Sequence, residues 1–358
     1  MTTAATPTRC TSRSPIDPSK PFIPGAELGG AYYEEVVGAI VGDLPHSAAF
    51  LGYGSDVLGF DDVRSTDHGW GPRLQVFVRE GGGELLERLK RELPEEFRGW
   101  PTRYGWDAEP VVQRVEVVRL GDWLRERLGF DPRAGVTTRD WLTTPQQLLL
   151  EVTRGAVFHD GLGELEPLRV ALQWYPHDVW VWLLACQWSR LDQEEPFVGR
   201  TAEVGDELGS RVLAARLARD LMRLCFLLER RYAPYPKWLG TAFAQLDAAA
   251  EVGPALEMAV AATDSAARED ALVSAVEQLA RRHNELGITK PLESTVRLFH
   301  SRPFRVLGSG RFVRACLATV DDPWLRSLPL VGGIDQISDS TDVLSDAELA
   351  RRVGAIYG

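Results

Sequence analysis

The stretch from residue 52 to residue 73 constrains this chain more than any other, because it packs five glycines and four aspartates between two apolar runs. Residues 48–51 before it and 74–78 after it have the density of buried strands. The expected unit is therefore strand, glycine-rich turn, strand. Residues 27–43 precede it with helical spacing, since Leu28, Tyr32, Val36 and Ile40 recur every four positions. A second helix is expected over 84–95, with Leu85, Leu86, Leu89 and Leu93 on one side. The valine-rich run 111–120 reads as the best strand of the chain.

Beyond residue 121 the pattern turns almost wholly helical. Thr144, Pro145 and Gln147 carry the signature of a helix start, with a helix running toward Phe158. Further helices are expected over 165–174, 178–190, 208–231, 238–251, 254–262 and 266–286, and Ser345 to Glu348 reads as a capping box for a last one. The main boundary is expected near 129–138. This gives a tail over 1–20 that is expected to be disordered, an α/β domain over 21–130 and a helical domain over 131–295. A mixed segment over 296–358 is expected to pack on the helical domain.

A chain of 358 residues exceeds what one core usually serves, so two or three domains are expected. A net charge of -11 argues against a long nucleic acid as partner, because such binding runs on phosphate contacts to Lys and Arg. No apolar run approaches a membrane span, and residues 1–20 lack the apolar region of a signal peptide. Cys10, Cys186, Cys225 and Cys316 lie far apart with no C-x-x-C spacing, which reads as free thiols in a reducing compartment. The expected location is the cytoplasm.

The chemistry starts from carboxylates. Side chains two apart on a strand share a face, so Asp67 and an acid at 69 would point together while His68 points away. Position 69 is glycine. Either water or a substrate group fills the gap, or an acid from the turn, Asp56, Asp61 or Asp62, reaches in, although Asp61 and Asp62 read more as residues that shape the loop. Glu116 is an acid inside a valine-rich strand, costly to bury unless paired or bound to metal, and its other reading is a solvated sheet face.

In the helical half, residues 194–211 alternate acids, glycines and arginines, and residues 230–240 set bases and aromatics in a proline-stiffened turn. Arg200, Arg211 and Lys237 suit triphosphate charge, and Tyr232, Tyr235 or Trp238 suit stacking on a base. The plainer reading is solvated loop charge and helix-end staples. His159 reads as a helix-end histidine and His177 as an exposed helix start. No H-E-x-x-H, zinc-type Cys/His spacing, G-x-S-x-G elbow or Walker A lysine is present.

A strand ending in Gly54-Ser55 and followed about a dozen residues on by Asp67 resembles the signature of the nucleotidyltransferase superfamily. Several further motifs resemble more closely a bacterial family of nucleotidyltransferase-like proteins labelled only as a domain of unknown function. They are Ser65-Thr66-Asp67-His68, Trp70-Gly71-Pro72-Arg73, Val157-Phe158-His159-Asp160, Phe197-Val198-Gly199-Arg200, Tyr235-Pro236-Lys237-Trp238, Ile334-Asp335-Gln336 and Asp339-Ser340-Thr341-Asp342. The likeness extends over residues 20–345.

It implies an α/β palm of the nucleotidyltransferase superfamily followed by a mainly α-helical domain, as in aminoglycoside and lincosamide nucleotidyltransferases. It also implies Asp67 and Glu116 as catalytic residues and ligands of Mg2+, with Glu116 as general base. Gly54, Ser55, Arg73, Arg200 and Lys237 would hold the nucleotide, and His68, Trp70, Tyr232, Tyr235 and Asp206 would line a substrate pocket. The cleft would lie between palm and helical domain. The reaction implied is transfer of a nucleoside monophosphate from a nucleoside triphosphate to a small-molecule hydroxyl. The family pattern places an aspartate where this chain has Gly69, which would weaken transfer. The alternatives are the same fold doing other chemistry on a small metabolite, and a nucleotide-binding protein that has lost catalysis.

Overall fold

The computed structural model describes residues 22–67, 69–106 and 109–358, and the expected tail over 1–20 lies outside them. The chain divides into two compact units. The first comprises the described residues up to Ala134 together with Leu150–Leu172, and the second comprises Gly135–Leu149 with Gln173–Gly358.

The first unit opens with α1 (Gly25–Tyr32), a π turn (Tyr33–Val37) and α2 (Gly38–Val41). Then come β1 (His46–Phe50), α3 (Ser55–Leu58), a 3-10 turn (Val63–Asp67), β2 (Leu74–Val78) and α4 (Gly82–Glu92). Two small antiparallel pairs follow: β3 (Glu96–Phe97) with β4 (Trp100–Pro101), and β5 (Arg103–Trp106) with β6 (Glu109–Gln113). The unit continues with β7 (Val115–Val118) and α5 (Leu120–Leu128), and it is completed after an interval by β8 (Ala156–Asp160) and α8 (Leu165–Ala171).

The main sheet runs β7-β2-β1-β8, with β7 parallel to β2 and the other pairs antiparallel. Every residue of β1 and β2 is buried, which is why their sequences are nearly continuous in apolar side chains. One face, with Ala48, Leu74, Val76, Val78 and Val115, packs against Leu28, Tyr32 and Val41 of the first helices and Leu85 and Leu89 of α4. On the other face Phe77 meets Trp123 of α5 edge-on at 5.6 Å.

Several expectations are corrected here. Residues 111–120 are not one strand. The Arg114 side chain donates to the Tyr104 and Pro110 carbonyls, the chain leaves the β5-β6 hairpin at that point, and Leu120 already begins α5. Asp67 does not enter a strand, because it closes the 3-10 turn and β2 begins only at Leu74. The helix expected to run from Thr144 toward Phe158 ends at Thr153, and after Gly155 at φ +73° the chain forms β8. His159 is therefore an edge-strand residue, with its ring 4.6 Å from that of His46. The Thr144 hydroxyl, at the end of the helix Thr138–Thr143, donates to the Asp140 carbonyl at 2.7 Å.

The second unit contains α6 (Thr138–Thr143), opened by a capping box of Thr137 and Asp140, and the start of α7 (Gln146–Thr153). Its long helices are α9 (His177–Glu203), α10 (Glu207–Leu228), α11 (Pro236–Phe243), α12 (Ala249–Ala261) and α13 (Ser265–Glu285). A hairpin of β9 (Arg297–Leu298) and β10 (Arg305–Val306) precedes α14 (Gly310–Leu317), which packs along α9. Short helices finish the chain, the last α-helical one being Ala347–Val353, capped by Asp346.

Residues 194–203, read as a polar loop, are helix. The acids that suggested a loop are tied down instead: Glu194 to Arg216, Glu203 to Arg302, and Glu195 to the backbone N–H groups of Leu307, Gly308 and Ser309. Among the described residues no helix is long and apolar enough to cross a membrane.

Candidate functional site

β1 delivers the chain into Gly52, Tyr53 and Gly54, and Ser55 then opens α3. Gly54 sits at φ +127°, and a Cβ there would lie 2.1 Å from Asp56 Oδ1 and 3.1 Å from Arg73 Nη2, so only glycine fits. The expected Gly54-Ser55 turn is thus a tight backbone turn at a strand end, with Ser55 partly exposed. The Ser55 hydroxyl lies 3.4 Å from that of Ser65, which also accepts from the Asp62 N–H. This contact brings the 3-10 turn carrying Asp67 up to the Gly-Ser turn. Asp67 is exposed at the end of it, and Gly69 follows at φ +61°. His68 lies outside the described residues.

Arg73 is not available for a nucleotide in the way the sequence suggested. Its guanidinium donates to both Asp56 oxygens and to the Leu51 and Tyr53 carbonyls, and it stacks 4.3 Å from the Phe50 ring centre. The group spends its donors holding the turn in shape. The acids considered for the Gly69 gap are likewise committed: Asp56 to Arg73, Asp61 to the Gly25 N–H at the start of α1, and Asp62 to the Arg64 and Ser65 N–H groups. Trp70 is core, buried and edge-on to Trp100 at 4.5 Å, and does not line a pocket.

Glu116 stands beside Gln75 in the parallel register of β7 and β2, on the sheet face that α5 covers. Gln75 joins the pieces: its Oε1 accepts the Leu51 N–H at 3.0 Å, one residue before the glycine turn, and it is the register partner of Glu116. Burial holds the Glu116 carboxyl above the ordinary carboxylate range, against the opposing pull of Arg127. Arg127, at the end of α5, lies over the Tyr53 ring at 5.6 Å and 3.9 Å from buried Glu151. Gln75 and Arg127 were missed in the sequence. The signal for Gln75 was there, as the one polar residue in Leu-Gln-Val-Phe-Val.

Asp67 and Glu116 offer carboxylate oxygens, the donors that magnesium prefers, and a half-buried Glu116 raised by burial is an acid that a cation would stabilise. Among the described residues no group of three or more His, Cys, Asp and Glu is placed to hold a metal ion.

The remaining expected site residues belong to the second unit. Arg200 is exposed near the end of α9, and exposed Lys237, in the first turn of α11, lies 4.9 Å from the ring centre of its neighbour Trp238. Arg211 pairs with Glu207 and donates to the Thr263 carbonyl. Asp206 is the N-cap of α10, accepting the Gly209 N–H at 2.8 Å, which is a structural task. Tyr232 is buried against Trp174 and Tyr175, again core and not a pocket wall. Tyr235 is half-buried, and the turn between it and Tyr232 is pinned by Gln146 and Gln147, which accept the Ala233 and Tyr235 N–H groups. Asp335, in the Ile-Asp-Gln motif, is buried and accepts the Gln146 N–H, and burial pushes its carboxyl up to about 6 against the pull of Arg223.

These features define an α/β unit with a glycine-serine turn at the end of β1 and a partly buried acid on β7, two strands away across β2, joined to an α-helical unit. Residues 141–239 match the family model described as Domain of unknown function (DUF4037). A family labelled only as a domain of unknown function was expected from the motifs, and the match covers a shorter stretch than the expected 20–345. No curated protein and no solved structure gives a significant match.

Proposed function

We propose that the protein is a nucleotidyltransferase-like enzyme that moves a nucleoside monophosphate from a nucleoside triphosphate to a hydroxyl of a small molecule, with Mg2+ as cofactor and no long nucleic acid as partner. The observation that supports this most is that Gln75, the register partner of Glu116, accepts the Leu51 N–H at the entry to the glycine-serine turn. It connects the strand of an acid whose carboxyl is raised by burial to the strand that leads into the turn.

In this reading the Gly54-Ser55 turn seats the phosphates, and Asp67 and Glu116 hold the ion. Magnesium would supply charge neutralisation at the phosphates. Glu116 takes the proton of the acceptor hydroxyl, whose oxygen bonds to the α-phosphorus as the bond to pyrophosphate breaks. A carboxylate raised by burial is a better base than an ordinary one. Arg127 replaces Arg73 as the cation of this unit placed to answer phosphate charge. Buried free Cys186, Cys225 and Cys316 agree with a cytoplasmic location.

The test is a thermal-shift titration with nucleoside triphosphates, with and without Mg2+, followed by pyrophosphate release in the presence of a pool of small hydroxyl acceptors. Magnesium-dependent stabilisation with pyrophosphate release supports the reading. Stabilisation without release leaves a nucleotide-binding protein, and no response to any nucleotide removes the reading.

A further inference from the structure

A second site lies within the helical unit. Between α9, α10, α13 and the β9-β10 hairpin is a cavity of about 290 Å3. Leu191, Val198, Leu217, Leu221, Leu307 and Phe304 form its buried wall. Leu272, Val273 and Val276 of α13 also line it and are only half-covered by protein, so apolar surface is left for a guest. The volume is roughly twice the ~150 Å3 cavity that takes up benzene, which suits one ring with a short chain or a fused pair of rings.

The polar part of the lining is acidic. Glu195, Glu203 and Glu269 line the cavity against one cation, Arg305. Arg305 is already shared between Glu269 at 2.6 Å and Asp270 at 2.5 Å, and Glu203 is met by Arg302 at 2.8 Å. Those groups keep partial solvent contact and form the rim. Glu195 is held differently. Its carboxylate, half-covered by protein, lines the apolar chamber and accepts the N–H groups of Leu307, Gly308 and Ser309, with the negative charge of Asp192 and the positive charge of Arg311 nearby. Arg297 and His300 line a separate cavity of about 250 Å3 that also touches Glu195, together with Asp192, and are not part of this lining.

We propose that this cavity binds a small hydrophobic amine, its apolar body among the α9, α10 and α13 aliphatics and its ammonium group at Glu195. A carboxylate of the same shape would meet three acids and is excluded. An isosteric alcohol would fill the same space without the positive charge that answers the Glu195 carboxylate. The residues and ligand class differ from those of the nucleotide reading, so the two stand or fall separately.

The experiment uses the full chain and three matched probes: 4-phenylbutylamine, 4-phenylbutanol and 4-phenylbutyrate. Binding is followed by calorimetry and by NMR of the Leu and Val methyl groups. The amine is expected to saturate and to bind at least about tenfold more tightly than the alcohol, with the carboxylate weaker still. Ala202→Leu, which adds bulk at the lining, is expected to cut amine affinity at least about tenfold while the melting temperature holds or rises. Val273→Phe serves the same purpose if that variant does not fold. No saturation by the amine at millimolar concentration, equal binding of the carboxylate, or unchanged affinity in a folded cavity-filled variant overturns the proposal.

Discussion

The Arg73 guanidinium grips the Asp56 carboxylate twice, Nη2 to Oδ1 at 2.9 Å and Nε to Oδ2 at 3.2 Å, and the same guanidinium holds the Leu51 and Tyr53 carbonyls. The turn is therefore fixed from inside by a buried pair. Arg73→Ala should cost about 3–5 kcal/mol, because it strands a buried carboxylate along with two carbonyls. Arg73→Lys should recover only part of that, since one ammonium cannot meet four acceptors. Denaturant unfolding measures both. A stable Arg73→Ala protein that has lost only nucleotide affinity would return Arg73 to the binding site.

Gly54→Ala forces a Cβ into Asp56 Oδ1 at a backbone angle of φ +127°. We expect a loss of about 1–3 kcal/mol from backbone strain, with loss of any nucleotide-dependent thermal shift. Gly52 is the control. It too has positive φ, at +92°, so a side chain there is strained, but its Cβ meets nothing within 4 Å, and Gly52→Ala should therefore cost backbone strain alone and less than Gly54→Ala. Equal damage at both positions would mean that backbone angle alone, and not the Asp56 contact, governs the turn.

Asp67→Asn and Glu116→Gln should each abolish a magnesium-dependent rise in melting temperature measured with nucleotide present. Without magnesium, Glu116→Gln should leave stability unchanged or raise it, because burial disfavours the ionised acid. An intact magnesium response in either variant removes that residue from the metal site.

Gly69 occupies a left-handed backbone position at φ +61°, one that aspartate tolerates better than most residues. Gly69→Asp should therefore fold, and it should raise magnesium-dependent ATP affinity and pyrophosphate release if the glycine is what weakens transfer. Rapid turnover by the native protein that falls in Gly69→Asp would make the glycine a functional choice and favour other chemistry on this fold.

Asp335 keeps its proton up to about pH 6 in the folded chain against an ordinary value of 3.8. Between those values the folded state holds more protons than the unfolded state, so this group's contribution to stability falls as pH rises. His283, lowered by burial to about 4, gives the opposite slope in the same window, so native stability alone does not isolate Asp335. The readout is the difference: Asp335→Asn should gain on the native protein as pH rises from about 4 to about 6, by on the order of 2 kcal/mol. A difference that does not change with pH would place the proton elsewhere.

The strands flanking the glycine turn, the helices of the second half and the carboxylate at 116 could be read in the sequence because burial leaves a periodic trace. The failures were physical. Val157-Phe158-His159-Asp160 is too short and too mixed to announce a strand, and its partner β1 is more than a hundred residues away. Glu195, Glu203 and Asp206 looked like loop charges because their partners, the backbone of 307–309, Arg302 and the Gly209 N–H, cannot be inferred from local spacing. Asp67 was assigned strand geometry because motif spacing says nothing of the backbone between a glycine turn and the next paired residue.

The edge of the first unit also sets an order of assembly. Ser47 and Asp160, joined through Ser47 Oγ and Asp160 Oδ1 at 2.6 Å, lie 113 residues apart in sequence, and the chain between them includes the first helices of the second unit. During synthesis β1 emerges early and keeps one side unpaired until β8 has been made. A nascent chain released or cut after Ala134 would expose that side of a buried, apolar strand to any other extended segment. The sheet therefore completes only after translation has passed into the helical half, and truncation at the apparent boundary should yield aggregation and not a smaller folded protein.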